Sequence, residues 1–351
     1  MKKKWTGILL MSVCLAAGLT GCVGKATGGD FTRQGMEAIE NLDYAGAASL
    51  FDQALTGGED AVPAYRGQGM AYMGLARYEE AVEAFDLALE YTDSKMPETV
   101  KDILLYKASA QFRMKDYENT ITTCEELLKE EEALAEGYYL MGASCLNLGY
   151  EERARENFDL AVKAAPQDYN LYLNIYESYR AQNLSAVGDE YLQTALSIPP
   201  ESAEDYYCIG QIYYNLEQYD QVQSALIVPV EEKYPPALYL AARVYLAKED
   251  YAHALSAYET IKQEYGDSPQ VCNGLALCSM AEEEYDQALA YIQQGLAMEE
   301  EQGKQELLFN EIVVYERMLD FDAAKEKAES YAALYPTDEA GRKELAFLST
   351  R

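Results

Sequence analysis

The sequence contains a single histidine, and no catalytic set of residues is recognisable in it. His253 is the only histidine, so any Ser-His-Asp or Cys-His arrangement would depend on that residue alone. It lies beside Tyr251 and Ala254 among residues typical of a helix surface, which predicts a solvated side chain. Neither the phosphate-binding loop motif nor the dinucleotide-binding glycine motif occurs in the sequence.

Carboxylates are abundant, but they occur in runs such as 130–132 and 299–301, which fall at predicted helix ends and loops. Two carboxylates do acid–base work only in an enclosed site that separates their pKa values. Runs on exposed helices are instead typical of a solvated face. We therefore predict that the protein is not an enzyme and that it uses no cofactor.

The cysteines beyond the N-terminal segment favour a structural role. There are five of them, an odd number without CxxC spacing, and no second histidine completes a metal site. We predict that they are small core residues and that the chain has no metal site. They are Cys124, Cys145, Cys208, Cys272 and Cys278.

The N-terminus has the order of an export signal. Lys2, Lys3 and Lys4 precede an apolar run from Ile8 to Leu19. Small residues and then Cys22 come after this run. The run is too short for a membrane-spanning helix, which needs roughly 20 apolar residues.

The segment Leu19-Thr20-Gly21-Cys22 resembles the lipobox of bacterial lipoprotein precursors. The resemblance implies that the Cys22 sulfur receives diacylglycerol, with acyl chains such as palmitate, and that signal peptide 1–21 is then removed. The competing interpretation is an ordinary signal peptide with a chance cysteine. Residues 22–29 would be the lipidated cysteine and a tether, whose seven residues from Val23 to Gly29 span at most about 25 Å.

The charge is strongly negative. Asp and Glu number 60 against 28 Lys and Arg, a net charge of −32, and loss of three lysines with residues 1–21 would make it −35. Such a surface repels nucleic acid, so we predict no nucleic-acid partner, whereas cationic partners would be attracted. The alternative is that the acids only keep an extended protein soluble.

A repeat organises the rest of the chain. The segment that starts at Tyr44 and the segment that starts at Tyr78 share aromatic, alanine and leucine positions and lie 34 residues apart. One small or short residue marks this segment in nine successive units: Ala47, Ala81, Thr120, Ala154, Gly188, Val222, Ala254, Ala288 and Ala324.

This pattern resembles the tetratricopeptide repeat family, which repeats at 34 residues with a helix–turn–helix unit. Twelve residues earlier, at the family's close helix crossing, stand Gly35, Gly69, Ala108, Gly142, Gly210, Ala242 and Ala276. The resemblance implies an all-α solenoid, a right-handed superhelix of about nine repeats over residues 30–338, with 339–351 as a C-terminal capping segment. In the fifth unit Tyr176 replaces the small residue and Gly188 lies in the second helix, so we expect that unit to be distorted.

In the family, the first helices of the repeats line a concave groove that binds peptides. The family's groove positions, carried over to this sequence, predict a largely apolar and aromatic binding surface. Several of these residues could instead pack against the adjacent repeat. They are Arg66, Met70, Met73, Phe112, Tyr139, Leu146, Arg180, Tyr207, Gln211, Tyr214, Tyr239, Arg243 and Asn273.

Together the two resemblances imply a membrane-anchored adaptor or scaffold of the bacterial cell envelope that binds a protein or peptide segment in its groove. The alternative is a surface lipoprotein that captures a glycan or small molecule, which the 31 tyrosines favour. The anchor implies the extracytoplasmic face of the cell membrane. In a host with two membranes, Val23 after the modified cysteine would favour the outer membrane.

Overall fold

The computed structural model describes residues 30–130 and 134–351, and within them it contains twenty α-helices and no strand. The predicted all-α class is confirmed. The helices are α1 Phe31–Glu40, α2 Tyr44–Thr56, α3 Ala61–Gly74, α4 Tyr78–Glu90, α5 Pro97–Arg113, α6 Tyr117–Glu130, α7 Ala135–Asn147, α8 Glu151–Ala164, α9 Tyr169–Ala181, α10 Ser185–Ala195, α11 Ala203–Asn215, α12 Tyr219–Ala225, α13 Ile227–Glu231, α14 Pro235–Ala247, α15 Tyr251–Tyr265, α16 Pro269–Ala281, α17 Tyr285–Leu296, α18 Lys304–Arg317, α19 Phe321–Leu334 and α20 Glu339–Leu348.

The described chain forms two compact units, an N-terminal unit up to residue 198 and a C-terminal unit from Pro199 to Arg351. The N-terminal unit contains five hairpins, α1–α2 through α9–α10, and each hairpin contacts the next. The C-terminal unit contains four, in which α11, α14, α16 and α18 are the first helices, followed by α20. Each of the nine predicted repeats therefore corresponds to one hairpin.

The predicted small residues lie at the crossing of the two helices in each hairpin. All nine markers of the second helices are buried. In the α7–α8 hairpin, a Cβ atom on Gly142 would lie 2.8 Å from the Phe158 ring and 3.1 Å from the Ala154 carbonyl oxygen. Glycine is therefore what allows the two backbones to approach closely around the buried ring.

In the fifth hairpin a small residue also faces a large one at the helix crossing, but the helices that carry them are exchanged. The large residue, Tyr176, lies on α9, and the small one, Gly188, lies on α10, where a Cβ atom would be 2.9 Å from the tyrosine ring. Both residues are buried and both helices form. The expected distortion of this unit is therefore not found, because a large side chain still faces a small one.

The sixth hairpin contains a break that the sequence analysis missed. Its second helix is divided into α12, which ends at Ala225, and α13, which begins at Ile227. Pro229 is buried in α13 and has no N–H to donate to the carbonyl four residues earlier, which belongs to Ala225. The proline accounts for the division.

The turn inside every hairpin uses one left-handed residue. It stands two positions before the second helix, and glycine occupies the site only once, as Gly149 with φ +80°. A non-glycine residue costs roughly 1–2 kcal/mol in this conformation, so the packing of the hairpins must offset that cost. The other eight are Leu42, Ala76, Lys115, Asn183, Glu217, Glu249, Glu283 and Leu319.

The substitution Gly142→Ala is expected to lower the free energy of unfolding by roughly 1–3 kcal/mol, because the new methyl group would overlap the Phe158 ring. The matched control is Gly137→Ala in the same helix. There the nearest atoms are methyl groups of Leu127 and Leu128 at 3.3 Å, which can shift. Since alanine favours helices, this variant should change stability little or raise it. Urea denaturation measures both variants. Equal losses in the free energy of unfolding would contradict the close helix crossing at Gly142.

The last helix, α20, packs on α19 and brings Glu344 close to Glu316 of α18. Glu316 has a buried carboxylate oxygen, Oε1, without a hydrogen-bond partner. Burial and the neighbouring Glu344 carboxyl raise the pKa of Glu316 to about 7. The folded chain therefore keeps this proton over a pH range in which the unfolded chain has lost it.

Glu316→Gln is expected to stabilise the protein at alkaline pH. The unfolded carboxyl ionises near pH 4.5 and the folded one near 7, so this group lowers stability as pH rises between those values. Glutamine does not ionise, so the variant should exceed the wild type in urea midpoint at about pH 8 and match it closely at about pH 5. Glu306→Gln, at an exposed position of α18, is the control. A gain in urea midpoint that is the same at both pH values would contradict this prediction.

Candidate binding face of the first helices

The predicted groove residues all lie on the first helices of their hairpins, which are neighbours within each unit. In the N-terminal unit, α3, α5, α7 and α9 contact one another in order, and in the C-terminal unit α11, α14, α16 and α18 do so. We call the side of these helices that carries the predicted groove residues the first-helix face. It is treated separately for the N-terminal and the C-terminal unit.

In the N-terminal unit, part of the first-helix face is engaged in internal packing. Arg66 forms an ion pair with Asp102 of the next first helix and lies over the Tyr106 ring, 5.6 Å from its centroid. Met70 and Met73 are half-buried against the cluster around the buried Phe85. These three side chains join neighbouring hairpins, and only part of each is accessible.

Further along the N-terminal unit the predicted residues divide into accessible and buried ones. Phe112 meets Tyr117 edge to face at 5.6 Å. Tyr139 bonds to the Ser178 hydroxyl at 3.3 Å, and burial raises the pKa of the tyrosine. Leu146 is only 3% exposed, so it contributes to the core rather than to an accessible face. Arg180 is exposed and forms an ion pair with Glu177 at 2.6 Å.

In the C-terminal unit, two tyrosines of the face are anchored by their neighbours. Tyr207 meets the Tyr234 ring edge to face at 5.4 Å, and burial raises the pKa of Tyr207 to about 12. The Tyr239 hydroxyl bonds to that of Ser268 at 3.2 Å. Both residues are half-buried, so part of each ring faces solvent.

Tyr214 and Arg243 form the most open part of this face. The Arg243 guanidinium carbon lies 4.7 Å from the centroid of the Tyr214 ring, a cation–π contact between α14 and α11. The Arg243 side chain is exposed, and Gln211 is half-buried one turn before Tyr214. The structure therefore brings Gln211, Tyr214 and Arg243 to neighbouring helices, as the groove prediction requires.

A polar contact on the same face was missed by the sequence analysis. Asn310 of α18 donates a hydrogen bond to Oδ1 of Asn273 on α16, with a distance of 2.7 Å between the two atoms. Asn273 was among the predicted groove residues, but Asn310 was not. The two asparagines are 37 residues apart, which is close to one repeat. This spacing could have predicted that they lie near each other on neighbouring first helices.

The residues considered for catalysis or metal binding take structural positions. His253 is exposed, bonded to Asp250 at 2.8 Å and stacked on Tyr245, which confirms the predicted solvated side chain. The five cysteines are buried, as predicted for core residues. Burial raises the pKa of Cys124 to about 12 and that of Cys278 to about 11, which disfavours their nucleophilic thiolate forms.

Over 30–130 and 134–351, no group of three His, Cys, Asp or Glu side chains is placed to hold a metal ion. None of the helices described for this chain combines the length and apolar character needed to cross a bilayer. Cys22, the predicted lipidation site, and the tether 22–29 lie outside the described residues.

Three segments match known families. Residues 32–97 and 135–168 match models described as tetratricopeptide repeat, and residues 240–334 match one described as coatomer epsilon subunit. Among curated proteins, a BBSome complex member BBS4 homolog of Drosophila melanogaster is 24% identical over 149 residues. That match covers 42% of this chain, and the chain spans only 30% of the relative.

The solved structure of yeast Tom70 has a similar fold. The yeast Tom70 structure is 15% identical, with a TM-score of 0.50, and the match covers 91% of this chain and 87% of that one. A tetratricopeptide repeat protein from Parabacteroides merdae is 12% identical, with a TM-score of 0.48, and covers 70% of this chain and 97% of its own. The two matched segments carry tetratricopeptide repeats, and the nine hairpins, with buried small residues at their crossings, share the helix–turn–helix form of that repeat.

Proposed function

We propose that the protein is a membrane-anchored scaffold of the bacterial cell envelope that binds a protein segment on the first-helix face. The observation that carries this proposal is the open part of the C-terminal unit, where Tyr214, Arg243 and Gln211 lie on adjacent helices. Aromatic rings and arginine are the side chains that are enriched in protein-binding surfaces. Their ordered positions reduce the conformational entropy lost on binding.

Anchoring through Cys22 is the second part of the proposal, and it rests on the lipobox resemblance of residues 19–22. Two acyl chains on one cysteine hold a protein at a bilayer stably, whereas one chain does so only marginally. A tether of at most about 25 Å would keep the repeats close to the membrane surface. The extracytoplasmic face follows from the export signal, and in a host with two membranes the outer membrane follows from Val23.

The test of segment binding is co-purification from detergent-solubilised membranes with a pair of tryptophan substitutions. Gln211→Trp places a bulky ring on the first-helix face, while Gln263→Trp places the same ring at an exposed position of the second helix α15. We expect a defined protein to be recovered with the wild type and with Gln263→Trp, and to be lost with Gln211→Trp. Recovery that is identical in all three would contradict binding on this face.

Capture of a glycan or small molecule is the competing proposal. It predicts that a sugar raises the melting temperature of the protein and that the partner protein does not. Thermal-shift measurements against simple sugars and against peptides separate the two. Our proposal expects stabilisation by peptides alone, and stabilisation by a sugar at the first-helix face would replace it.

A further inference from the structure

On α11, α14 and α16, the first-helix face of the C-terminal unit is nearly free of charge, although the chain is otherwise rich in acids. Helix α14 carries one charged residue, Arg243, and α16 carries none. On α11 the acids Glu204 and Asp205 stand in the first turn, where the Asp205 carboxylate accepts hydrogen bonds from the main chain of Glu201 and Ser202. Three adjacent helices therefore present a neutral surface around a single cation.

Arg243 differs from the other two arginines among the predicted groove residues in what it contacts. Arg66 is paired with Asp102, and Arg180 is paired with Glu177. Within 30–130 and 134–351, Arg243 has no carboxylate partner and lies on the Tyr214 ring. A guanidinium that stacks by its face keeps its N–H edge free, and that edge matches the two oxygens of a carboxylate.

Two amides lie on the helices to either side of Arg243. Gln211 of α11 is half-buried and has no hydrogen-bond partner among the residues that the structure describes. Asn273 of α16 accepts from Asn310 through Oδ1, so its N–H donors remain available. Side-chain amides in such positions can bond to the main chain of an extended polypeptide.

We propose that the C-terminal unit binds an extended polypeptide segment with one acidic side chain, which Arg243 holds while Gln211 and Asn273 bond to the main chain on either side. The amides flank the cation on both sides, so the segment continues past the carboxylate in both directions. This favours an internal aspartate or glutamate over a chain terminus. The net charge of −32 disfavours a segment with several acids.

This inference rests on the proposed function, and panning of a phage-displayed library of random peptides on the full-length protein tests it. We expect the selected peptides to share one acidic residue. Replacing that residue with its amide, or introducing Arg243→Gln, should weaken binding roughly tenfold or more, because a charge-assisted hydrogen bond is lost. The two changes combined should cost little more than either alone, since both remove the same contact.

Arg342→Gln is the matched control. It removes an exposed arginine of the same unit from α20, which is outside the first-helix face, so peptide affinity should not change. Arg243 is exposed, so the melting temperature of Arg243→Gln should match that of the wild type.

The possible results distinguish this inference from the proposed segment binding on which it rests. Selected peptides that bind the first-helix face without an acidic residue, or that bind Arg243→Gln as tightly as the wild type, would overturn the inference and leave segment binding intact. Peptides whose affinity depends on a free C-terminus and not on a side chain would also overturn it. A failure to select any peptide that Gln211→Trp excludes would count against segment binding itself.

Discussion

Replacement of Phe158 with alanine is expected to lower the free energy of unfolding by about 3–5 kcal/mol. The ring is fully buried at the crossing of α7 and α8, against Gly142. Its centroid lies 6.0 Å from Tyr139, 5.4 Å from Tyr179 and 6.3 Å from Tyr191. Alanine would leave a cavity and remove three aromatic contacts at the junction of two hairpins, so few other single changes should cost as much.

Two further variants in the same experiment show whether the loss comes from the crossing. Leu160→Ala in the same helix removes a side chain that is 40% exposed, and its effect should stay within about 0.5 kcal/mol. Phe158→Leu should cost less than half of the alanine variant, since Leu192 and Leu226 take the corresponding place in the next two hairpins. Urea denaturation followed by circular dichroism measures all three. A loss below 1 kcal/mol for Phe158→Ala would contradict the described core.

Substitution of Cys22 by serine is expected to abolish attachment of the protein to membranes. Serine has no thiol to receive diacylglycerol, and the lipobox resemblance implies that removal of residues 1–21 follows the lipid modification. We therefore expect Cys22→Ser to incorporate no labelled palmitate and to retain the signal peptide. Metabolic labelling together with detergent phase partitioning measures the first effect, and intact-mass measurement measures the second.

Cys14 provides the control for this prediction. It lies in the apolar run of the predicted signal peptide, eight residues before Cys22 and outside the segment that resembles a lipobox. Cys14→Ser should label with palmitate and partition like the wild type. Label that persists in Cys22→Ser, or that is lost equally in both variants, would show that Cys22 is not the anchor.

The repeat could be predicted from the sequence because its physical requirement is local. Two helices cross closely only where one side chain is small, and such residues recur from Ala47 to Ala324 at nearly constant spacing. The exchange of Tyr176 and Gly188 led to a wrong prediction of distortion, because the sequence pattern considers each position separately. At the helix crossing it is the combined size of the two facing side chains that must fit.

Pro97 and Pro229 show a similar limit of prediction from the sequence. Pro97 is the first residue of α5, where a missing N–H costs nothing. Pro229 has the same chemistry in the interior of a second helix and breaks it. The difference depends on where the helix begins, and the repeat spacing fixes that start only to within a few residues.

The candidate site could be predicted only to the level of the helix face. The groove positions identify first-helix residues correctly, but they do not tell Leu146, which is buried, from Arg180, which is exposed. Nor do they tell Arg66, paired with Asp102, from Arg243, stacked on Tyr214. These distinctions depend on which side chain the neighbouring repeat presents, and repeat spacing alone does not determine that.

Photocrosslinking in living cells tests the central claim, binding of a protein segment on the first helices, most directly. A benzophenone amino acid would replace Tyr239 on α14 in one strain and Tyr265, at the end of α15 in the same hairpin, in another. Both tyrosines are at least partly accessible, and Tyr265 is 45% exposed. We predict a discrete protein adduct from position 239 and none from 265. Adducts of equal yield from both positions, or from 265 alone, would contradict the proposed binding face.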